Sequence, residues 1–159
     1  MRLRTLLAAL AAVALLAAPA ASSTTSVPAG GTTSTATASL LLDRVSFRPQ
    51  LAMSSDQRGL GLMHRKKAPR DGMLFVFPND TNGGFWMKNT LVPLTIVFFD
   101  RDGKRVRRLS MKPCRADPCP IYHPNRRYRF ALELSARDTR TANLLGPLAK
   151  LSRLSRQAS

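Results

Sequence analysis

The sequence predicts a small α+β domain that is mainly β, either a compact sheet or a barrel-like arrangement, with short helices. Two observations carry this prediction. Residues 128–134 alternate between large apolar and mostly polar side chains, which is the two-residue period of a strand. Residues 73–77 and 91–99 are apolar runs rich in β-branched and aromatic residues and bounded by turn residues. Such short bounded runs favour buried strands over helices.

The first 20 residues have the order of a signal peptide. A positive start with Arg2 and Arg4 precedes an apolar run over residues 5–18, and small residues surround Pro19. The run is shorter than the roughly 20 apolar residues that a membrane span needs. We therefore expect cleavage after Ala20 and a mature protein that is secreted or periplasmic, outside the cytoplasm.

Three further segments follow in the predicted organisation of the chain. Residues 21–39 consist almost entirely of Ser, Thr, Ala and Gly, too little apolar surface to offset the entropy of ordering, so we predict a flexible linker. A single domain occupies residues 40–147. The basic, Leu-rich tail 148–159 is either an amphipathic helix that makes peripheral membrane contact or a segment that docks against its own domain.

The domain begins with a predicted edge strand and a short helix. Apolar residues occupy alternate positions over residues 45–53 on either side of Pro49, which predicts a strand bent at the proline. Ser54 and Gln57 then have the spacing of a capping box, so a helix is expected over residues 55–63.

The centre of the domain is predicted to be a pair of strands joined by a hairpin. Residues 73–77 read as a strand buried on both faces and closed by Pro78, and the even positions of residues 91–99 share one face. Residues 100–103 are typical of a hairpin turn. A change of parity between Val106 and Leu109 indicates a bulge in the returning strand.

The last predicted strand, residues 128–134, has one buried and one charged face, and Glu133 falls on the charged face. Ser135 and Asp138 have the spacing of a second helix start, with Gly146 and Pro147 as its stop.

The protein is strongly basic. Its formal net charge is +16, or +14 without Arg2 and Arg4, and residues 101–159 hold 15 Lys and Arg against 4 Asp and Glu. A field of this sign attracts anionic partners in a salt-dependent way. An exported protein meets envelope polymers, so we expect an anionic polymer or carbohydrate of the envelope and no specific nucleic acid. The alternative is a basic surface that only maintains solubility.

Cys114 and Cys119 are the two cysteines of the chain. A close pair in an exported protein is most simply a disulfide. A redox site usually has two residues between its cysteines, whereas four separate these. A metal site could recruit His123, but the sequence offers no evident fourth ligand. We therefore predict a disulfide, with no metal and no cofactor.

Catalytic motifs are not evident in the sequence. His64 and His123 lie far apart and belong to no triad or zinc-binding pattern. A glycosidase would need two carboxyl groups near each other, which would require folding to bring an aspartate close to Glu133, the sole glutamate. The candidates are Asp80, Asp100 and Asp117. No catalytic residue is assigned.

Trp86, Lys88 and Asn89 form the candidate ligand site. Together they supply an aromatic platform, a positive charge and an amide, which suits a polar or sugar-like ligand. The alternative is that Trp86 belongs to the core while Lys88 and Asn89 brace the neighbouring loop.

Several uncommon short sequence motifs occur together in the chain. They are Gly61-Leu62-Met63, the run from Gly72 to Pro78, the run from Phe85 to Leu94, Pro113-Cys114 and the run from Tyr128 to Leu134. In this order, over roughly Val45 to Leu145, they resemble the bacterial and archaeal family called domain of unknown function 192. The resemblance implies a compact, mainly β fold with short helices, frequent export and an unassigned activity.

The sequence departs from the family pattern at three places. Thr95 stands where the family usually has Asp, and Ser135-Ala136-Arg137 stands where it usually has Asn-Ala-Gly. The basic tail replaces the usual closing Gly-Asp strand. A role that depends on those groups is not expected in this chain.

These observations favour a non-enzymatic envelope or extracellular module that binds an anionic or carbohydrate ligand near Trp86, Lys88 and Asn89. One alternative is a hydrolase that uses Lys88 with a neighbouring aspartate or His123. Another is a structural or accessory protein of the cell surface, in which the linker and tail are the working parts.

Overall fold

The structure is a computed structural model that describes residues 35–140, 148–149, 151 and 153–159. The predicted signal peptide, most of the predicted linker and residues 141–147 lie outside the described residues. No helix in the described ranges is both long and apolar enough to cross a membrane.

Strands dominate the part of the chain that the structure describes. One short helix, α1 (Ser55–Leu60), accompanies them. The strands are β1 (Leu40–Leu42), β2 (Val45–Phe47), β3 (Gln50–Ala52), β4 (Met73–Thr81), β5 (Phe85–Trp86), β6 (Leu94–Phe99), β7 (Arg105–Met111), β8 (Ile121–Tyr122), β9 (Tyr128–Ser135) and β10 (Leu148–Ala149).

The strands form open sheets. The central sheet has the order β3-β4-β9-β6-β7, in which β3 and β4 are parallel and the other pairs are antiparallel. A three-stranded sheet has the order β10-β1-β2, and β5 pairs with β8. The prediction of a mainly β α+β domain is confirmed, and of its two forms the structure has the sheet.

Both faces of the central sheet are buried, because two apolar clusters pack against it. Leu74, Val97 and Leu132 belong to one cluster. Phe75 and Ile96, on the alternate positions of the same strands, belong to the other. The expectation of one charged face for residues 128–134 is therefore wrong at its centre, where Ala131 and Glu133 are buried.

The first helix starts as predicted and ends early. The capping box forms: Ser54 Oγ accepts a hydrogen bond from Gln57 N at 3.2 Å, and Gln57 Oε1 accepts one from Ser54 N at 3.1 Å. Gly61, with φ of +48°, ends the helix, and its N–H donates to Gln57 O. A glycine in this left-handed region is a common helix stop, so α1 is three residues shorter than the sequence predicted.

Strand β4 is longer than predicted, since it continues past Pro78 to Thr81. Its pairing with β9 shifts register between Val76 and Thr81. A proline has no N–H for a ladder, and an irregularity of this kind tolerates one. The hairpin turn at residues 100–103 is confirmed, and so is the bulge, because Phe98 pairs with Arg107 and Phe99 with Arg105.

The second predicted helix start is wrong in the described residues. Ser135 is the last residue of β9, and the chain then turns, with Asp138 N donating to Ser135 O at 2.9 Å. Arg140, two residues after Asp138, forms an ion pair with the Asp138 carboxylate at 2.6 Å. The Asp138 side chain therefore serves this turn rather than a helix cap.

The described parts of both terminal segments pack on the domain. Leu51 N donates to Ala36 O at 2.8 Å, within the predicted linker. In the tail, Leu148 pairs with β1, and Leu148 and Leu151 are buried in the first apolar cluster. The structure therefore has the leucines of the tail docked against the domain.

Candidate functional site

Trp86 lies on the surface, and its neighbours in β5 explain why. Phe85 points inward and packs edge-to-face on Phe75 and Phe98, with ring centroids at 5.0 and 5.6 Å. Successive residues of a strand point to opposite sides, so Trp86 points outward and is 48% exposed. Met87 is the fully buried residue of this segment. The interpretation of Trp86 as a core residue is therefore wrong.

Lys88 reaches from the Trp86 segment to the disulfide loop, which we define as residues 114–119. Its Nζ lies 2.7 Å from Asp117 Oδ2 and 5.7 Å from the centroid of the Trp86 ring. The backbone of Lys88 also bridges to Cys114. Lys88 and Asn89 line a depression of about 180 Å³ with this loop. Lys88 thus braces a loop, as the alternative interpretation expects.

The disulfide loop is closed by the predicted bond between Cys114 and Cys119, whose Cα atoms are 5.7 Å apart. The prediction of a disulfide is confirmed. The bond closes the loop that carries Asp117, the partner of Lys88.

A groove of about 280 Å³ is lined in part by Trp86. We call it the Trp86 groove. The Tyr128 hydroxyl donates to Gly83 O at 2.9 Å and holds its wall. Leu60 and Ile121, both exposed, flank Trp86 through α1 and through the β5–β8 pairing. The groove is lined by Arg58, Phe77, Thr81, Gly83, Trp86 and Tyr128, among others.

A smaller recess, the Glu133 pocket, shares Phe75, Phe85 and Trp86 with the groove. Its volume is about 30 Å³. Thr90 and Glu133 supply polar side chains, and Glu133 is only 4% exposed.

The Glu133 carboxyl group has no ion pair or side-chain hydrogen bond to any residue in the described ranges. Burial alone raises the pKa of this carboxyl from 4.5 to about 8, because desolvation penalises the charged form. At neutral pH the group is therefore mainly a protonated acid that can both donate and accept a hydrogen bond.

The register of the central sheet explains how a glutamate comes to be buried there. Glu133 lies opposite Met73 on β4 and Ile96 on β6, under the cluster that covers this face. Gly72 permits the backbone just before β4 to approach β9 closely, since a Cβ atom at that position would lie 1.9 Å from the backbone oxygen of Glu133. Our sequence reasoning missed this group. The signal was a single acid flanked by apolar residues within a strand.

The other acidic candidates have partners or structural positions of their own. Asp80 forms an ion pair with Arg129 at 2.8 Å, and Asp100 accepts backbone hydrogen bonds in the hairpin turn. Asp117 is paired with Lys88. No carboxylate pair with Glu133 and no cluster of three metal-binding side chains occurs in the described residues, so hydrolysis gains no specific support.

His123 lies against Gly84 and does not line the Glu133 pocket. It is exposed, and its backbone carbonyl accepts a hydrogen bond from Arg107 at 3.2 Å. Its ring approaches Gly84, where an added Cβ atom would lie 2.7 Å from a ring carbon. The contact positions β8 against β5, and so the strand that carries Trp86.

The sequence and the fold both have counterparts among known proteins. Residues 39–145 match the family model of domain of unknown function 192, described as Uncharacterized ACR. A solved structure from Sinorhizobium meliloti 1021, for which a role as transcription regulator has only been suggested, is 27% identical. The alignment covers 69% of this chain and 87% of that chain, with a TM-score of 0.59.

A second solved structure is a protein of unknown function from Novosphingobium aromaticivorans DSM 12444. It is 23% identical, with 69% of this chain and 81% of that chain covered and a TM-score of 0.61, which shows a shared fold. No curated protein is significantly similar to this chain.

Proposed function

The chain belongs to the family of domain of unknown function 192, and from this premise we propose that it is a non-enzymatic carbohydrate-binding module that works outside the cytoplasm. Trp86 is its platform. The observation that carries the proposal is the half-exposed indole ring of the sole tryptophan, placed between a groove and a pocket.

An exposed tryptophan beside a concave surface supports sugar binding for a physical reason. Large apolar side chains that cluster at a surface commonly mark a binding site, and here Leu60 and Ile121 are exposed next to Trp86. An indole ring covers the C–H face of a sugar, and nearby polar groups bind its hydroxyls. Thr81, Thr90 and Glu133 are polar side chains that line the groove or the pocket.

The charges near Trp86 favour a carbohydrate over a simple anion. Lys88 is already paired with Asp117 at 2.7 Å. Arg58, in the groove wall, donates to the carbonyl oxygens of Met53, Val76 and Ser159. These two cations have intramolecular partners. The formal net charge, +14 without Arg2 and Arg4, adds long-range attraction for acidic glycans.

The location outside the cytoplasm is supported by the disulfide, because such bonds persist in oxidising compartments. The signal-like first 20 residues agree with it. The proposed ligands, envelope or extracellular glycans, are present in the compartment to which the protein is exported.

Fluorescence of Trp86 provides a direct test, because the chain has one tryptophan. Cello-, xylo- and chito-oligosaccharides and oligogalacturonates are titrated separately. We expect a saturable change with at least one of them, since a stacked sugar changes the environment of the ring. Calorimetry of the same glycan with Trp86→Ala should show at least about tenfold weaker binding, in line with the loss of a central aromatic contact.

Leu91→Ala is the matched control, since it also removes an exposed apolar side chain but lies outside the groove and the pocket. It should bind like the unaltered protein. Binding that falls steeply with salt and survives Trp86→Ala would contradict the proposal and indicate attraction of anions to the basic surface. The absence of any response to all four glycan types would also overturn it.

A further inference from the structure

We propose that Glu133 is a ligand-binding residue whose carboxyl group hydrogen-bonds to the hydroxymethyl group of a hexose stacked on Trp86. The inference rests on the proposed function and adds a substrate class to it, namely neutral glycans built from hexoses.

The first argument is that the carboxyl is buried without a partner. Glu133 is 4% exposed, and it forms no ion pair or side-chain hydrogen bond with the described residues. Buried polar groups are nearly always hydrogen-bonded, because leaving one unsatisfied is unfavourable. Glu133 lines the pocket, so a group that enters the pocket can pair with its carboxyl group.

The second argument is the size and position of the pocket. A volume of about 30 Å³ admits one small polar group and excludes a sugar ring. The pocket shares Trp86, Phe75 and Phe85 with the wider groove. A ring that lies on Trp86 can therefore extend one short substituent inward. The hydroxymethyl group of a hexose has the required length, and its hydroxyl can both donate and accept a hydrogen bond.

The third argument is the charge around Glu133. Across the sheet it faces apolar Met73 and Ile96, and Arg58 is the charged side chain that lines the pocket with it. The Arg58 guanidinium is already bound to the backbone carbonyls of Met53, Val76 and Ser159. Burial raises the pKa of Glu133 to about 8, so the acid is largely neutral at pH 7. A neutral carboxyl group is better suited to binding a hydroxyl group than to binding a cation.

The experiment compares two ligands that differ only in whether each of their four sugars carries this substituent. Cellotetraose carries the hydroxymethyl group on every sugar, whereas xylotetraose lacks it. The unaltered protein should bind cellotetraose about tenfold more tightly at pH 7, because one buried hydrogen bond is lost with the pentose ligand. Calorimetry and Trp86 fluorescence both report the affinity.

Two variants assign the difference to Glu133. Glu133→Gln keeps a donor and an acceptor of the same shape, so it should retain the preference for cellotetraose. Glu133→Leu removes both, and it should bind the two tetrasaccharides with equal affinity. Replacing an unpaired buried acid by an apolar residue does not remove a stabilising partner, so this variant should fold, which a thermal melt verifies.

The outcomes separate the two proposals. If none of the glycans binds, the proposed function fails and this inference fails with it. If a glycan binds through Trp86 but the tetrasaccharides bind equally to the unaltered protein, or Glu133→Leu keeps the preference, the assignment of Glu133 is overturned while the proposed function stands.

Discussion

Two regions near Trp86, the disulfide loop and the Glu133 pocket, differ in how their charged groups are placed. On the side of the disulfide loop, Lys88 and Asp117 are 40% and 61% exposed, and their charges are paired at 2.7 Å. On the side of the pocket, Glu133 is 4% exposed, and its carboxyl has no partner in the described part of the chain.

We interpret the difference as one between a structural ion pair and the proposed ligand-binding group. An exposed ion pair contributes little to stability, but here it joins Lys88 to a loop that a disulfide already closes. A buried acid without a partner is unfavourable for folding, and such groups with displaced pKa values occur most often at functional sites. We therefore place the ligand on the side of Glu133.

The largest expected effect is on the pH dependence of stability. The pKa of Glu133 is raised by burial from 4.5 to about 8 in the folded protein, so the folded state holds a proton that the unfolded state releases over this range. The free energy of unfolding should fall as pH rises from about 4.5 to 8. Glu133→Gln lacks this titration and should gain up to about 5 kcal/mol relative to the unaltered protein by pH 8.

Urea denaturation at several pH values measures this gain. The two proteins should have similar stability near pH 4, where the acid is protonated in both states. A constant difference between them across the whole range would show that the carboxyl ionises normally in the folded protein, and the contrast between the two regions would disappear.

The smallest expected effect is on the side of the disulfide loop. Asp117→Asn removes the charge that pairs with Lys88, and both partners are well exposed. The free energy of unfolding should fall by less than about 1 kcal/mol at pH 7. Cellotetraose affinity should change less than twofold, because neither Lys88 nor Asp117 lines the groove or the pocket.

Lys88→Met and the double variant complete a cycle for this pair. A coupling energy well above about 1 kcal/mol, or a large loss of cellotetraose affinity in Asp117→Asn, would show that the exposed pair contributes to the ligand site. The ligand site would then include the disulfide loop.

Much of the fold follows from local sequence rules. The capping box at Ser54, the hairpin turn after Phe99 and the bulge near Val106 each depend on residues close together in the chain. Errors arose where distant elements decide. The helix predicted after Ser135 is a turn, in which Arg140 pairs both with Asp138 and with Asp71, which precedes it by 69 residues. Ala131 is buried in the apolar cluster on that face of the sheet, and Glu133 lines a pocket with residues of α1 and of the segments after it.

The candidate site was predictable in part for the same reason. Trp86, Lys88 and Asn89 are adjacent in sequence and could be selected from composition alone. The sequence could not show that Lys88 and Asn89 face the disulfide loop while Trp86 lines the groove and the pocket. It also could not reveal Glu133, since that group reaches the pocket through the pairing of β9 with β4 and β6.

The most direct measurement is a carbon NMR titration of the Glu133 carboxyl. Glu133 is the sole glutamate, so glutamate-selective ¹³C labelling gives one side-chain carboxyl resonance. We predict a pKa of about 8 in the free protein, and a clear displacement of this pKa by saturating cellotetraose but not by xylotetraose. A pKa near the ordinary 4.5, or a bound sugar that leaves the titration unchanged, would contradict the account.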